Sequence, residues 1–304
     1  MHMKSKNNKI RKFASYLWHL PYFVPDKVYL KMKYKHNIGK KLNLKNPQTF
    51  NEKLQWLKLY DRNPLYTKLV DKYEVRKYIE KEIGKEHLIP LLGVFDTYDQ
   101  IDFNALPNQF VLKPNHTSGD VYICKDKSNI DYGDLKKQVS IWLKRRYYWV
   151  HREWPYKNIK PRIICEKYMV DESGTELKDY KFMSFNGEVK CSFICLNRNS
   201  TKGLNVDFYD MGWKPMPFER HYKRSGGVIP KPKNFDLMVK FAEKLSIDIP
   251  FVRVDFYEAN GQLYFGELTF FPGSGYEEFT PESYDYLLGS WICCQKNKSR
   301  TNCK

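Results

Sequence analysis

The sequence predicts an α+β fold, in which antiparallel hairpins and helices share a core. Two hairpins carry that reading. Tyr180–Phe185 and Glu188–Leu196 flank Asn186-Gly187, and Phe251–Tyr257 and Leu263–Phe270 flank Asn260-Gly261. Asn-Gly between apolar runs is a strong hairpin signal, because both residues accept positive φ. Along the chain helices and strands alternate, and hairpins mixed with those helices favour α+β over a doubly wound parallel sheet.

In chain order, the first helix spans Thr49–Leu59, where Phe50, Leu54 and Leu57 share a face. Asp71–Ile83 reads as the second, with Asp71 as N-cap and Gly84 just past its end. Phe110–Pro114 is a short apolar strand stopped by proline, paired with Val121–Cys124 across Asn115–Asp120. Leu135–Tyr148 is an amphipathic helix and Arg162–Met169 a strand. After the first Asn-Gly hairpin come a helix over Phe235–Leu245, the second hairpin and a closing helix over Pro281–Ile292. The last ten residues form a polar, basic tail, and no internal repeat or low-complexity linker is present.

The 304 residues carry 52 Lys+Arg against 35 Asp+Glu, a formal charge of +17. Such an excess favours polyanions: nucleic acid, anionic membrane or acidic polysaccharide. Residues 1–45 hold twelve Lys/Arg and one acid, Asp26, and so most of the excess. An apolar stretch (Phe13, Tyr16, Leu17, Trp18, Tyr22, Phe23) lies within that basic segment. His19 and Pro21 interrupt it, and no small-x-small cleavage site follows, which argues against a signal peptide. A basic arm lying on an anionic surface fits better, the alternative being an arm packed on its own domain. No run approaches eighteen apolar residues, which excludes a membrane-spanning helix. The seven cysteines include no C-x-x-C pair and read as reduced core residues of a cytosolic protein.

The second hairpin holds the sharpest chemical signal. Arg253 and Asp255 alternate with Val252 and Val254, so both point to one face; Glu267 and Thr269 share a face of the partner strand. Two carboxylates brought together across a ladder repel unless a cation joins them. Oxygen-only ligands suit Mg²⁺ together with substrate phosphates, and Arg253 would then face an anion. The bland alternative is a surface ladder of Arg–Glu pairs. Lys113 ends an apolar strand before a small polar loop with Thr117, Ser118 and Gly119, a pattern that can cradle phosphate. In Pro161–Gly174, the run Glu166-Lys167-Tyr168-Met169 could offer backbone groups to a nucleobase, with Asp171 near a ribose; an ordinary strand end is the alternative. No P-loop, Rossmann or protein-kinase signature occurs.

Taken in order, these segments resemble the ATP-grasp superfamily and, more narrowly, its TupA-like family, named for teichuronopeptide synthesis. The segments that carry the likeness are FNEKLQWLKLYDRNPLYTKLVDKY, IPLLGVFD, LPNQFVLKPNHTSG, IKPRIICEKYM, NVDFYDMGW and VRVDFY…GELTFFPGSG, across about residues 50–290. The resemblance implies two α+β lobes gripping ATP and Mg²⁺. By position, Lys72 and Lys113 match phosphate-binding lysines, and Asn115–Gly119 the loop over the phosphates. Glu166–Met169 match the adenine hinge, Asp255 and Glu267 the metal carboxylates, and Arg253 the arginine that stabilises the acyl-phosphate transition state. Lys181 is a further phosphate candidate. Thr269 stands where the superfamily often has an asparagine ligand, and its hydroxyl binds Mg²⁺ less well. The implied division is a basic arm at 1–45, a reduced substrate region at 46–110, a lid at 111–165, a lobe with the metal site at 166–292 and a tail at 293–304.

The implied activity is ATP-dependent ligation of a carboxylate, such as a uronic acid of a surface polysaccharide or its precursor, to an amino acid or another amine. Residues 144–157, KRRYYWVHREWPYK, interleave aromatics with Lys/Arg. Arg145, Arg146, Trp149 and Trp154 are therefore acceptor candidates, or else the aromatics are core. The localisation expected is cytoplasmic, against the inner membrane face. Rival readings are a glycosyltransferase, although no D-x-D occurs, a sugar kinase on the same fold, and a nucleic-acid binder, for which no recognised module is present.

Overall fold

The computed structural model describes residues 23–171, 177–196 and 203–294. The apolar part of the basic arm from Phe13 to Tyr22 lies outside these residues, and so does the tail beyond 294. From residue 26 onward the arm is not an appendage. Helix α1 (Asp26–Ile38) starts with an acid in its first turn, ends with Lys35 and His36 in its last, and is closed by Gly39 at φ 78°. It buries Tyr29, Leu30 and Tyr34, and the following loop buries Leu42 and Leu44. The boundary at residue 45 is therefore corrected: α1 belongs to the main core.

Helix α2 (Phe50–Tyr60) opens with a reciprocal capping box between Thr49 and Glu52. The single helix expected over Asp71–Ile83 is replaced by two short ones, α3 (Leu65–Val70) and α4 (Val75–Ile83). Asp71 does accept from the backbone N–H groups of Tyr73 and Glu74, at 2.8 and 3.3 Å. It thereby caps a turn that holds Lys72, and the helix begins after that turn.

Three antiparallel sheets follow. Strands β1 (Leu91–Phe95), β2 (Phe110–Pro114), β3 (Tyr122–Cys124) and β4 (Ile163–Lys167) form the first, in the order β1-β4-β2-β3. Helix α5 (Tyr132–Lys144) covers one face, with Leu135, Val139 and Trp142 against Phe110, Leu112, Ile163 and Cys165. This sheet takes β1 from the region 46–110, and β4 straddles the boundary at 165/166, so the four strands form one sheet across the expected divisions. The helix expected to reach Tyr148 stops at Lys144, and a single turn, α6 (Tyr148–His151), follows.

The second sheet holds β5 (Asp179–Phe185), β6 (Glu188–Leu196), β7 (Asn205–Tyr209), β9 (Phe251–Ala259) and β10 (Gln262–Thr269), in the order β10-β9-β5-β6-β7. Asn186, Gly187, Asn260 and Gly261 all have positive φ, as the two hairpin turns require. Helix α7 (Phe235–Leu245) packs its buried Phe235, Met238, Ala242 and Leu245 on this sheet. A two-stranded ladder joins β8 (Glu219–Arg220) to β11 (Phe279–Thr280), and α8 (Ser283–Ser290) closes against α2. Among the described cysteines, Cys124, Cys165, Cys191, Cys195 and Cys294 are free thiols.

Candidate active site

Three charged side chains line up across neighbouring strands. Lys181 on β5 sits opposite Asp255 on β9, and Asp255 sits opposite Glu267 on β10. Lys181 Nζ lies 2.5 Å from both Asp179 and Asp255. Arg253 grips Asp255 with two bonds of 2.7 and 2.6 Å and reaches Glu267 Oε1 at 2.9 Å. Burial would raise the Glu267 carboxyl, but Lys72, Arg253 and Lys181 overcome it and hold the group at about 2. For Arg253, burial opposes the charge and Asp255 and Glu267 more than offset it, so the guanidinium is held more firmly than usual.

The meeting of Asp255 and Glu267 depends on a bulge. Phe265 pairs with Phe256, yet Glu267 pairs with Asp255, so two steps on β10 match one on β9. The Asn260-Gly261 turn alone would place Glu267 opposite Val254, on the core face. Gly266 is the extra residue, and it switches the face. A Cβ there would lie 3.1 Å from the Asp255 carbonyl oxygen and 3.1 Å from the Tyr257 ring. The sequence reading found the two carboxylates but did not identify the bulge that joins them.

Lys72 and Lys113 enter from the first sheet and the turn beside it. Lys113 Nζ is 2.6 Å from Glu166 Oε2, whose other oxygen is 3.3 Å from Arg76. Lys72 donates to the Thr117 carbonyl at 2.5 Å, and burial lowers its pKa. One side chain locks these pieces together. Asn115 donates to Asp71 at 3.0 Å, its amide oxygen accepts from Arg162 N–H at 2.7 Å, and its carbonyl accepts from Lys72 N–H at 3.1 Å.

Lys72, Lys113, Glu166, Asp179, Lys181, Arg253, Asp255 and Glu267 border a cavity of about 660 Å³ between the two larger sheets. One part is apolar, with Val111, Val121, Ile123, Met169, Phe193 and Phe208; another is charged, with Lys72, Lys113, Lys181, Arg253, Asp255 and Glu267. Ser118, Gly119, Glu166, Lys167 and Tyr168 also line it. Three candidates do not. Thr117 is buried and its hydroxyl donates to Asp120; Asp171 is buried off the wall; Thr269 donates to Glu267 Oε1 at 3.0 Å. Thr269 thus orients a carboxylate. Glu166 lines the cavity with its carboxylate committed to Lys113 and Arg76, and residues 167–169 of the expected hinge line it beside that ion pair. Asp255 and Glu267 offer oxygen donors alone and fit a hard cation such as Mg²⁺. Two carboxylates alone do not complete such a cation's shell, and water and phosphate would have to supply its other ligands.

The acceptor candidates at 145–154 do not reach the cavity. Arg145 pairs with Asp120 at 2.6 Å, and Arg146 faces outward. Trp149 packs under the Arg152 guanidinium at 4.4 Å, and Trp154 donates to the Asp61 carbonyl at 3.1 Å. Their aromatics are packing, as in the core alternative. Sequence reasoning missed two groups instead. Arg220 and Glu277 line the cavity, one in a two-residue strand and one in a loop. Behind residues 272–275, Lys58 donates to the carbonyls of Ser274 and His151 at 2.8 and 3.1 Å, while the Ser274 hydroxyl donates to Glu153 at 2.5 Å. Burial lowers the pKa of Lys58 and raises that of Glu153.

No curated protein gave a significant match. Similar solved structures include D-alanine–D-alanine ligase from Bacillus anthracis complexed with ATP (16% identity, TM-score 0.40, covering 66% of this chain and 54% of that one). The ATP-grasp ligase PsnB complexed with a phosphomimetic variant of its minimal precursor, Mg and ADP gives 9% identity, TM-score 0.41 and coverages of 71% and 56%. D-alanine–D-alanine ligase from Helicobacter pylori gives 14%, 0.40, and 82% and 70%. The chain thus spans little more than half of the first of these structures. Residues 52–293 match the profile of the TupA-like ATPgrasp family. That match covers most of the sequence, and the chain belongs to the TupA-like ATPgrasp family.

Proposed function

We propose that this protein is an ATP-dependent carboxylate–amine ligase. The observation that carries the reading is the Lys181–Asp255–Glu267 row with Arg253, facing Lys72 and Lys113 across one cavity that also has an apolar part. The apolar walls suit a nucleobase, and residues 167–169 offer it backbone groups. The lysines suit its phosphates. Asp255 and Glu267 would hold Mg²⁺, which when bound neutralises phosphate oxygens. Arg253 is placed to stabilise charge as the γ-phosphoryl passes to a substrate carboxylate. An amine then attacks the acyl carbon, and phosphate leaves. Holding these partners together in a site lined by fixed cations accounts for most of the rate gain expected of such chemistry.

Family membership supports a narrower reading: the carboxylate is a uronic acid or similar anionic sugar, linked to nucleotide, lipid or polymer, in surface polysaccharide synthesis, and the amine belongs to an amino acid or related compound. Residues 1–22 carry five Lys/Arg and no acid. They would hold the enzyme on the cytoplasmic face of an anionic membrane, each basic residue adding about 1 kcal/mol near the surface. No described helix is long and apolar enough to cross a membrane. An ADP- and phosphate-release screen of uronates and their nucleotides against amino acids tests the activity. ADP with stoichiometric phosphate and an amide product supports it. ADP without phosphate would indicate a sugar kinase, and nucleotide-sugar turnover a glycosyltransferase.

A further inference from the structure

The charged part of the cavity does not end at Arg253. It continues to Arg220 on β8 and to Pro272, Gly273 and Glu277, outside both sheets that carry the proposed nucleotide site. Arg220 is only 3% exposed. Its Nη2 donates to the Pro272 carbonyl at 2.6 Å and pairs with Glu277 Oε2 at 2.9 Å. The guanidinium carbon lies 5.5 Å from the centre of the Phe50 ring and 5.7 Å from that of Phe279. Its buried Nε has no hydrogen-bond partner.

The wall that presents Glu277 is built with care for backbone shape. Gly273, Ser274 and Gly275 all have positive φ, at 56°, 53° and 64°. A Cβ on Gly273 would come within 2.6 Å of three Glu277 side-chain atoms, so glycine at 273 makes room for that carboxylate. Gln55 holds the loop from behind, through bonds of 3.0 and 2.8 Å to the carbonyls of Ser274 and Gly275.

Resting on the ligase reading, we infer that Arg220 and Glu277 form the subsite for the amine substrate, and that this substrate is a free amino acid. The pair is neutral as a unit. A lone anion entering it would meet Glu277, and a lone amine would meet Arg220. A zwitterion exchanges one ion pair for two: its carboxylate joins Arg220 and its ammonium joins Glu277. Glu277 then takes one proton from the ammonium, leaving a neutral nucleophile. The nitrogen attacks the acyl carbon, the C–N bond forms, and the carbon–oxygen bond to phosphate breaks with its electron pair on the phosphate. The second nitrogen proton leaves with that phosphate as HPO₄²⁻, and Glu277 returns the first to solvent.

Hydroxylamine separates this inference from the activity itself. It traps an acyl phosphate as a hydroxamate and has no carboxylate for Arg220. Wild type is assayed with Mg²⁺·ATP and a panel of D-glucuronate, D-galacturonate and their UDP derivatives, first with hydroxylamine and then with glycine and L-alanine. Absence of hydroxamate with every acid would overturn the ligase reading, and this inference with it. Given hydroxamate, Arg220→Lys should raise KM for the amino acid at least tenfold more than KM for hydroxylamine. Glu277→Gln should lower amino-acid kcat at least tenfold and shift its dependence to higher pH, where free amine is more abundant. Parallel changes for both amines, or no change in either variant, would overturn the inference. Should Arg220→Lys fail to fold, calorimetric titration of glycine into wild type and Glu277→Gln, each loaded with Mg²⁺ and a non-hydrolysable ATP analogue, decides. Equal affinity in the two, or no binding to wild type, overturns it; at least tenfold weaker binding to the variant supports it.

Discussion

Two clusters of charge flank residues 272–275. On one side, Lys181, Arg253, Asp255 and Glu267 face the cavity; on the other, Lys58, Glu153, Gln55 and Ser274 are enclosed by α2 and the 151–154 turn. Both contain carboxylates near cations, yet their surroundings assign them opposite tasks. The cavity cluster has an open side, and under the proposed function it would exchange its internal partners for phosphate and metal there. The enclosed cluster has only the protein to satisfy it, and its bonds go largely to backbone carbonyls that hold the loop. Perturbed charge by itself therefore does not mark a site; charge with an open face does.

The largest effect that would sharpen this contrast is on stability. Lys58→Ala removes the buried donor to the Ser274 and His151 carbonyls and the stronger of the two lysines acting on buried Glu153, and should cost about 3–5 kcal/mol. Denaturant unfolding measures it, and a loss below about 1 kcal/mol would equate the two clusters. Next, Asp255→Asn or Glu267→Gln should lower kcat by roughly 10²-fold or more, the scale for losing a preorganised electrostatic group. Melting temperature should move far less than in Lys58→Ala, since water can reach the remaining charges; full activity in both variants would remove the site. Third, Arg253→Ala should reduce kcat while nucleotide affinity stays within a few-fold, read from single turnover and direct titration. A parallel fall in affinity would make Arg253 a ground-state binder instead.

The smallest effect concerns acid. Burial opposes ionisation of Glu267, but Lys72, Arg253 and Lys181 hold its folded pKa at about 2, against an ordinary 4.5. A depressed carboxyl contributes stability above its unfolded pKa, and that contribution is lost as pH falls from 4.5 toward 2. Lys72→Met should raise the folded pKa and shrink the contribution, which pH-dependent melting of both proteins would reveal. An unchanged acid limb would mean that Lys72 does not act on Glu267.

What the sequence made legible follows the same division. Asp255 was conspicuous because a carboxylate in an apolar strand is unusual, and the Asn-Gly turns fixed both hairpins. Lys58 was hidden because a lysine on a helix normally reads as solvated, and its partners lie 93 and 216 residues away. Arg220 sits in a strand of two residues, too short to leave a periodic pattern. Helix α1 was masked by its charge: ten of its thirteen residues are buried only in part or exposed, and the three aromatic and leucine anchors are outnumbered by lysines. The bulge at Gly266 left only a glycine as its trace, and glycine has many other reasons to occur.

The Asn115 clasp has a consequence for distance along the chain. Lys72 and Lys113 are separated by 41 positions, yet one carboxamide and its own backbone carbonyl tie the turn bearing the first to the strand end bearing the second. The same side chain also receives the Arg162 N–H beside β4. The two lysines therefore behave as a single two-pronged instrument mounted on one plate. Whatever tilts that plate relative to the carboxylate row moves both prongs together, and under the proposed function that shared mount would set the gauge for a pair of phosphates.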